Sequence, residues 1–507
     1  GGDTNGAMDV FVHDRGGTII EKRPVILVPG MTASWNAYCM FFGLLCDNED
    51  SWGFFPVWAR DVYQPLIDKL FLADYKEENQ YLKIVYYNWM QPIESNIQRL
   101  MTKIDEVKNA TGASQVDLIG HSMGGLLVRA YVQSDQYLSR NDVAHLITLG
   151  SPNMGASKAY PYWEAGYLYE PLPEEYNQWV ILYNFISRLS PMFVLELRAR
   201  IPSIQDILPT ANYIDEGQYI PGYLYDDTNN DNPITETQML HHNDYLTNLY
   251  ANVSLLFERT DAYAFYGKDV STTARFYVRP HYLWEWPNWD DGVPIWSRQV
   301  EFKSNAGDGT VMASSAILPC PGEMYDCVKD FAGVDHGGLP GNSNVITEIF
   351  NILGIPTSLE ASAAQTPQQS DEALLVFSLY GEADFTITDP LGRSLGPGLS
   401  EIPGAEYVSA PGDPYKLILL PTPLEGDFQV DVQGSGNGQY TLSLLQNFTP
   451  PAPVITDTKT LWDTAQSQIQ SEIIVTFGLT YTQETSPTTS LIAITPIIQT
   501  PVFLGTM

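Results

Sequence analysis

Residues 115–126 read QVDLIGHSMGGL. Strand-forming residues from Val116 to Ile119 stop at Gly120, and an apolar-periodic helix begins at about Ser122. The segment Gly120-His121-Ser122-Met123-Gly124 is a G-x-S-x-G pattern set between strand and helix. The chain has to reverse there in one sharp step, which strains the serine backbone and leaves its hydroxyl exposed. Small neighbours let strand and helix approach closely. The serine then lies at a helix N-terminus, where amide N–H groups and the helix dipole favour a nearby oxyanion. Ser122 is therefore a candidate nucleophile. The plainer alternative is a glycine-rich turn with no chemistry.

The surroundings repeat the same rhythm. PVILVPG (24–30) and LKIVYYNW (82–89) read as buried strands, PIESNIQRLMTKIDEVKNA (92–110) as an amphipathic helix, and AHLITLGSP (144–152) as another strand. Alternation of this kind predicts a parallel sheet covered by helices on both faces. Residues 153–255 are rich in Tyr, Trp, Leu and Pro and read as an inserted cap. DAYAFYG (261–267) returns to the sheet, and VITEIFNILG (345–354) is a closing helix. The expected architecture is an α/β-hydrolase with an inserted cap over residues 1–355. A linker over 356–371 follows, then a β-sandwich domain over 372–449. Residues 450–507 read as a C-terminal tail or partial β domain.

A serine hydroxyl needs a base, and in this fold the chain order is serine, acid, histidine. Of seven histidines, His13 precedes the serine, His121 lies inside the elbow and His145 lies on a strand. His241, His242 and His281 fall in the cap or the excursion after it. His336, in VDHGGLP, follows every sheet strand and precedes the closing helix. Asp308, in the Gly-Asp-Gly turn of NAGDGTVMASSA (305–316), is the candidate acid, with Asp290 and Asp291 as rivals. Two backbone N–H donors complete such a site. The expected donors are Met123, next after the serine, and Met31, just past the first strand.

Composition narrows the class. The chain has 507 residues and a formal net charge of −34, a surface that repels nucleic acid and anionic lipid headgroups. No nucleic-acid partner is expected. No run of about 18 uninterrupted apolar residues occurs, so no transmembrane span is expected. The four cysteines form two pairs of equal spacing, Cys39 with Cys46 and Cys320 with Cys327. Read as two local disulfides, they fit a secreted or cell-surface protein; four buried thiols are the alternative. The opening GGDTNGAMD carries no signal peptide and reads as an already processed start.

Several blocks occur in order: PVILVPG, the cysteine-bounded aromatic loop 39–46, DLIGHSMGG, LITLGSPNMGAS, IPSIQDILPT, YGKDVSTTARF, GDGTV, and His336 with a helix downstream. Over residues 20–355 the chain resembles the lecithin:cholesterol acyltransferase family of α/β-hydrolases, which has bacterial lipase-like members. The resemblance implies a triad of Ser122, Asp308 and His336, an oxyanion hole at Met31 and Met123, and a lid or lipid-contacting flap at 39–46. MTAS replaces the family's usual glycine-containing turn after Pro-Gly, and the flap is short.

Trp35, Tyr38, Phe41 and Phe42 crowd one short stretch near Met31. They are candidate substrate-binding residues, a wall for an acyl chain, against the plain alternative of core packing. Asp227, Asn229 and Asp231 resemble the start of a calcium loop, against a solvated acidic turn; the expected Gly and the late Glu of such a loop are replaced by Asn232 and Gln238. No cofactor is otherwise implied. The combined expectation is a secreted serine hydrolase that cleaves esters of lipids or other hydrophobic acyl groups through an acyl-enzyme. The substrate would be met at a lipid or polymer surface. The alternatives are an acyltransferase or polyester hydrolase with the same triad, or an inactive surface-binding protein.

Overall fold

The computed structural model describes residues 22–48, 51–54, 59–166, 193–210, 213, 222–229, 231–280, 289–295, 300–302, 307–321, 327–357, 374–381, 383–424, 426–434, 438–447, 464–469, 474–481 and 494–497. They divide into two compact units. One is built on residues 1–31, 62–169 and 194–364, the other on 32–61, 170–193 and 365–507.

The first unit is built on six strands: β1 (Val25–Val28), β2 (Leu82–Ile84), β3 (Val116–His121), β4 (Val143–Leu149), β5 (Asp261–Lys268) and β6 (Val328–Ala332). They pair in the order β2-β1-β3-β4-β5-β6, and every pairing is parallel. This is the α/β arrangement that the alternating pattern predicts. All of VILV in β1 and VDLIGH in β3 is buried, as strands covered on both faces must be. Helices α1 (Gln64–Leu72), α2 (Ile97–Thr111), α3 (Met123–Gln133) and α4 (Ser343–Leu353) flank the sheet. Strand β6 has no counterpart in the sequence analysis. It is an edge strand whose VKDFA residues stay largely exposed apart from Phe331, so it lacks an apolar run.

Helix α3 is buried on every side, including Arg129. The Arg129 guanidinium donates to Gln133 Oε1, to Asn153 Oδ1 and to the Leu249 carbonyl. It ties α3 to the loop after β4 and to the cap. Burial pulls its pKa down to about 10.

The cap contributes short helices at Ala159–Ala165, Phe193–Arg200 and Asp244–Ala251. The excursion after β5 forms a small mixed sheet. Strand Thr272–Arg279 pairs with Leu224–Asp226, Val293–Pro294 and Val300–Phe302. Glu164 in the cap is fully buried. Its Oε2 accepts from the Asp291 N–H, and its Oε1 lies 3.6 Å from Arg198.

The second unit carries an antiparallel β-sandwich. Its strands are β7 (Leu374–Gly381), β8 (Ala383–Thr388), β9 (Ser394–Gly396), β10 (Leu399–Ser400), β11 (Glu406–Ser409), β12 (Tyr415–Pro421), β13 (Gly426–Gly434), β14 (Gly438–Asn447), β15 (Thr464–Ile469), β16 (Ile474–Tyr481) and β17 (Ile494–Ile497). One sheet runs β11-β12-β7-β14-β15, the other β10-β9-β8-β13-β16-β17. Strands β15, β16 and β17, set apart in the sequence as tail, pair with β14, β13 and β16. Leu375, Phe377, Phe385, Ile418, Phe428 and Val430 form the sandwich core. The linker 356–371 lies outside the described residues from 358 onward.

Burial raises the Glu164 carboxyl to about 8, and the Asp291 charge adds to this, outweighing Arg198. A carboxyl that ionises near pH 4.5 in the unfolded chain but only near 8 in the folded one favours folding below pH 4.5. That contribution is lost as pH rises through 8. Thermal unfolding from about pH 5 to pH 8 should therefore fall more steeply for the native chain than for Glu164→Gln, which has no such proton to lose.

Candidate active site

Parallel strands place their outgoing loops along one edge, and sites in such sheets form there. Gly30 and Met31 follow β1, Ser122 follows β3, Gly150 follows β4 and His336 follows β6. The loop of Asp308 reaches the same edge by a parallel bridge to Val270, just past β5.

Ser122 adopts φ 52°, ψ −125° between β3 and α3, a backbone region costly for any residue with a side chain. Its N–H donates to the Leu149 carbonyl. The flanking glycines are required sterically. A methyl on Gly124 would collide with the carbonyls of Val28 and Pro29. Met123 opens α3, where amide N–H groups project from the helix end. On the other side, a Cβ placed on Gly30 would lie 3.0 Å from Ser122 Cβ. The loop carrying Met31 thus borders the serine.

His336 and Asp308 are both buried, and His336 Nδ1 is 2.7 Å from Asp308 Oδ2. Asp308 Oδ1 accepts from the amides of Thr310 and Val311. The His336 amide donates to the Asp308 carbonyl. The carboxylate is held from both sides and can orient the imidazole through Nδ1, which makes Nε2 the nitrogen that serves a hydroxyl. The His336 ring lies 4.9 Å, centroid to centroid, from that of His121, the residue beside Ser122. An imidazole oriented in this way by a buried carboxylate is a group able to accept a proton from a hydroxyl.

The rivals have other work. Asp291 accepts from the amides of Leu240 and His241, and Asp290 meets His241 and Arg198. His145 pairs with Asp117 and His242 with Asp244. His13 and His281 lie outside the described residues.

Trp35, Tyr38, Phe41 and Phe42 belong to the second unit. Three of the four lie in a helix at Ala37–Phe42, capped by Asn36 and tied by its own Cys39 to Cys46 through a disulfide. Trp35 Nε1 donates to Glu406 Oε2, and Tyr38 Oη donates to the Tyr407 carbonyl, both on β11 of the sandwich. Trp35 packs edge-on against Phe41, and Phe41 against Phe42. Cys320 and Cys327 form the second disulfide.

Asp227, Asn229 and Asp231 lie in the turn after Leu224–Asp226. Asp226 shapes it by accepting from the amide and the hydroxyl of Thr228. Among the described residues, metal-binding atoms converge within 4.8 Å at Glu164, His241 and Asp290. The Arg198 guanidinium already supplies positive charge there, 3.3 Å from Asp290 and 3.6 Å from Glu164.

A family model described as palmitoyl protein thioesterase matches residues 61–259. The match spans the elbow at Ser122 and the cap, and ends before Asp308 and His336. Among curated proteins none matches the chain. Solved structures similar to it include the Tle4–Tli4 complex, 13% identical with a TM-score of 0.39 over 67% of this chain and 99% of the other. Bacillus licheniformis lipase BlEst2 in mature form is 14% identical, with a TM-score of 0.26 over 66% and 93%. Phospholipase PlaB from Legionella pneumophila is 12% identical, with a TM-score of 0.26 over 87% and 91%. Over residues 61–259 the chain is thus similar to palmitoyl protein thioesterases, and the matched segment lies in the unit built on the parallel sheet.

Gly150 was not singled out in the sequence, although it sits in the LITLGSP block. Its φ is +59°, and a Cβ there would meet Asp308 Oδ2 at 2.8 Å and His336 Nδ1 at 3.1 Å. The readable signal is a glycine at the end of a buried parallel strand. Gly150→Ala should wedge the acid–base pair apart and lower kcat by about 100-fold with little change in KM, read by steady-state hydrolysis of a p-nitrophenyl ester.

Proposed function

We propose that this protein is an exported serine hydrolase that cleaves esters or thioesters of long hydrophobic acyl groups through an acyl-enzyme. Ser122 Oγ attacks the acyl carbonyl as His336 Nε2 removes its proton. The amides of Met31 and Met123 hold the oxyanion. His336 then returns the proton to the leaving alcohol or thiol, and water releases the acid by the same steps in reverse roles. Asp308 holds His336 in the required tautomer.

The observation that carries this reading is the buried Asp308–His336 pair set beside a strained serine elbow. The thioesterase match over residues 61–259 supports an acyl thioester or ester as substrate. The two disulfides support export. Among the described residues no helix is long and apolar enough to cross a membrane.

Two substitutions test the mechanism. Ser122→Ala should lower turnover of a long-chain p-nitrophenyl ester by at least about 1,000-fold and abolish labelling by a fluorophosphonate. Retained turnover in that variant rules the serine out as nucleophile. Asp308→Asn should keep the fold and lower kcat by about 10,000-fold, because the imidazole is then held in the wrong tautomer.

A further inference from the structure

His121 is buried one residue from the proposed nucleophile and has no role in the steps above. Its Nε2 lies 3.0 Å from the carbonyl oxygen of His336. Its Nδ1 lies 2.8 Å from Tyr63 Oη. Tyr63 Oη in turn accepts the Gly30 N–H at 2.9 Å. A carbonyl can only accept, so Nε2 carries the ring proton. Nδ1 is then the acceptor, and the Tyr63 hydroxyl donates to it. The hydrogen bonds run in one direction, from Gly30 through Tyr63 and His121 to His336. All the groups are buried, with Tyr63 2% and His121 3% exposed. The Tyr63 and His121 rings also pack edge-to-face, with centroids 5.6 Å apart.

The chain joins segments separated by 33, 58 and 215 residues. Its two ends are the proposed oxyanion loop and the proposed base loop, and its middle is the residue next to Ser122. From this we infer that Tyr63 and His121 are positioning residues, which set the Gly30–Met31 peptide and the His336 loop in register with the serine. The inference rests on the proposed roles of Ser122, His336 and Met31. The physical case is one of satisfaction. Each buried polar group in the chain has a partner, and losing the tyrosine hydroxyl would strand the Gly30 N–H and His121 Nδ1 together. Desolvation, and then the neighbouring His336, pull the His121 pKa down to about 3. His121 therefore stays neutral and holds one tautomer, and it adds no positive charge beside the imidazolium that forms on His336.

Tyr63→Phe removes one oxygen and keeps the ring contact. It should lower kcat by about 10- to 100-fold with KM changed less than about threefold, and should slow fluorophosphonate labelling of Ser122 by a similar factor. A melting temperature near the native one confirms that the variant is folded. A folded Tyr63→Phe with native kcat overturns the inference. Nitrogen-15 NMR of histidine-labelled native protein gives a second test that needs no variant. His121 should appear as the single Nε2–H tautomer with an acceptor Nδ1; an Nδ1–H form or a mixture of tautomers overturns it. The nucleophile stands or falls on Ser122→Ala, and the relay on these two measurements, so the two failures are distinct.

Discussion

The turn at Ser122 is the constraint from which the rest of the first unit follows. A serine at φ 52°, ψ −125° carries strain of about 1–3 kcal/mol, which persists only where the surroundings over-determine it. Here β3 is buried along its length and α3 is buried all round, so neither can relax away from the corner. Close packing then dictates Gly124 beneath β1 and Gly30 beside the serine. Arg129 extends the same clamp outward to the loop after β4 and to the cap.

Around that corner the parallel sheet does the gathering. Each strand from β1 to β6 delivers its C-terminal loop to a common edge, and the strand order places β3 between β1 and β4. Residues as distant as Gly30, Ser122, Asp308 and His336 all lie in loops at this edge because the strands run parallel, although the loops differ in length and composition. The antiparallel sandwich contains no such edge. Its paired strands run in opposite directions, so their outgoing loops fall at both ends, and its core is made from alternating residues of facing sheets.

The buried polar groups show two solutions to the same cost. Asp308 is surrounded by donors: two backbone amides on one oxygen and the His336 ring on the other. Glu164 has one amide and a more distant guanidinium, and burial keeps its proton on to about pH 8. His121 is the cationic counterpart, kept neutral by burial and by a histidine neighbour. The first environment is the one that the Gly-Asp-Gly turn provides.

Local order was legible in the residues themselves. The Ser122 elbow, the buried run in β1 and the helix after Pro92 follow from spacing, glycine content and apolar period, because each depends on neighbours only a few residues away. His336 and Asp308 were singled out by chain order, and the structure brings the two side chains within hydrogen-bonding distance of each other. The half-exposed strand β6 left no apolar run to read. Trp35 and Tyr38 are close to Met31 along the chain, yet their hydrogen bonds go to β11, some 370 residues on. Tyr63 and Gly150 escaped notice, and His121 was read only as part of the elbow, for a related reason. Each acts through atoms that lie far off in the sequence, and no local pattern records them. The sequence by itself determined which turns and strands could form and which residue types could do the chemistry. Only the tertiary structure decided which groups meet, because hydrogen-bond partners 33 to 215 residues apart are chosen by packing in three dimensions.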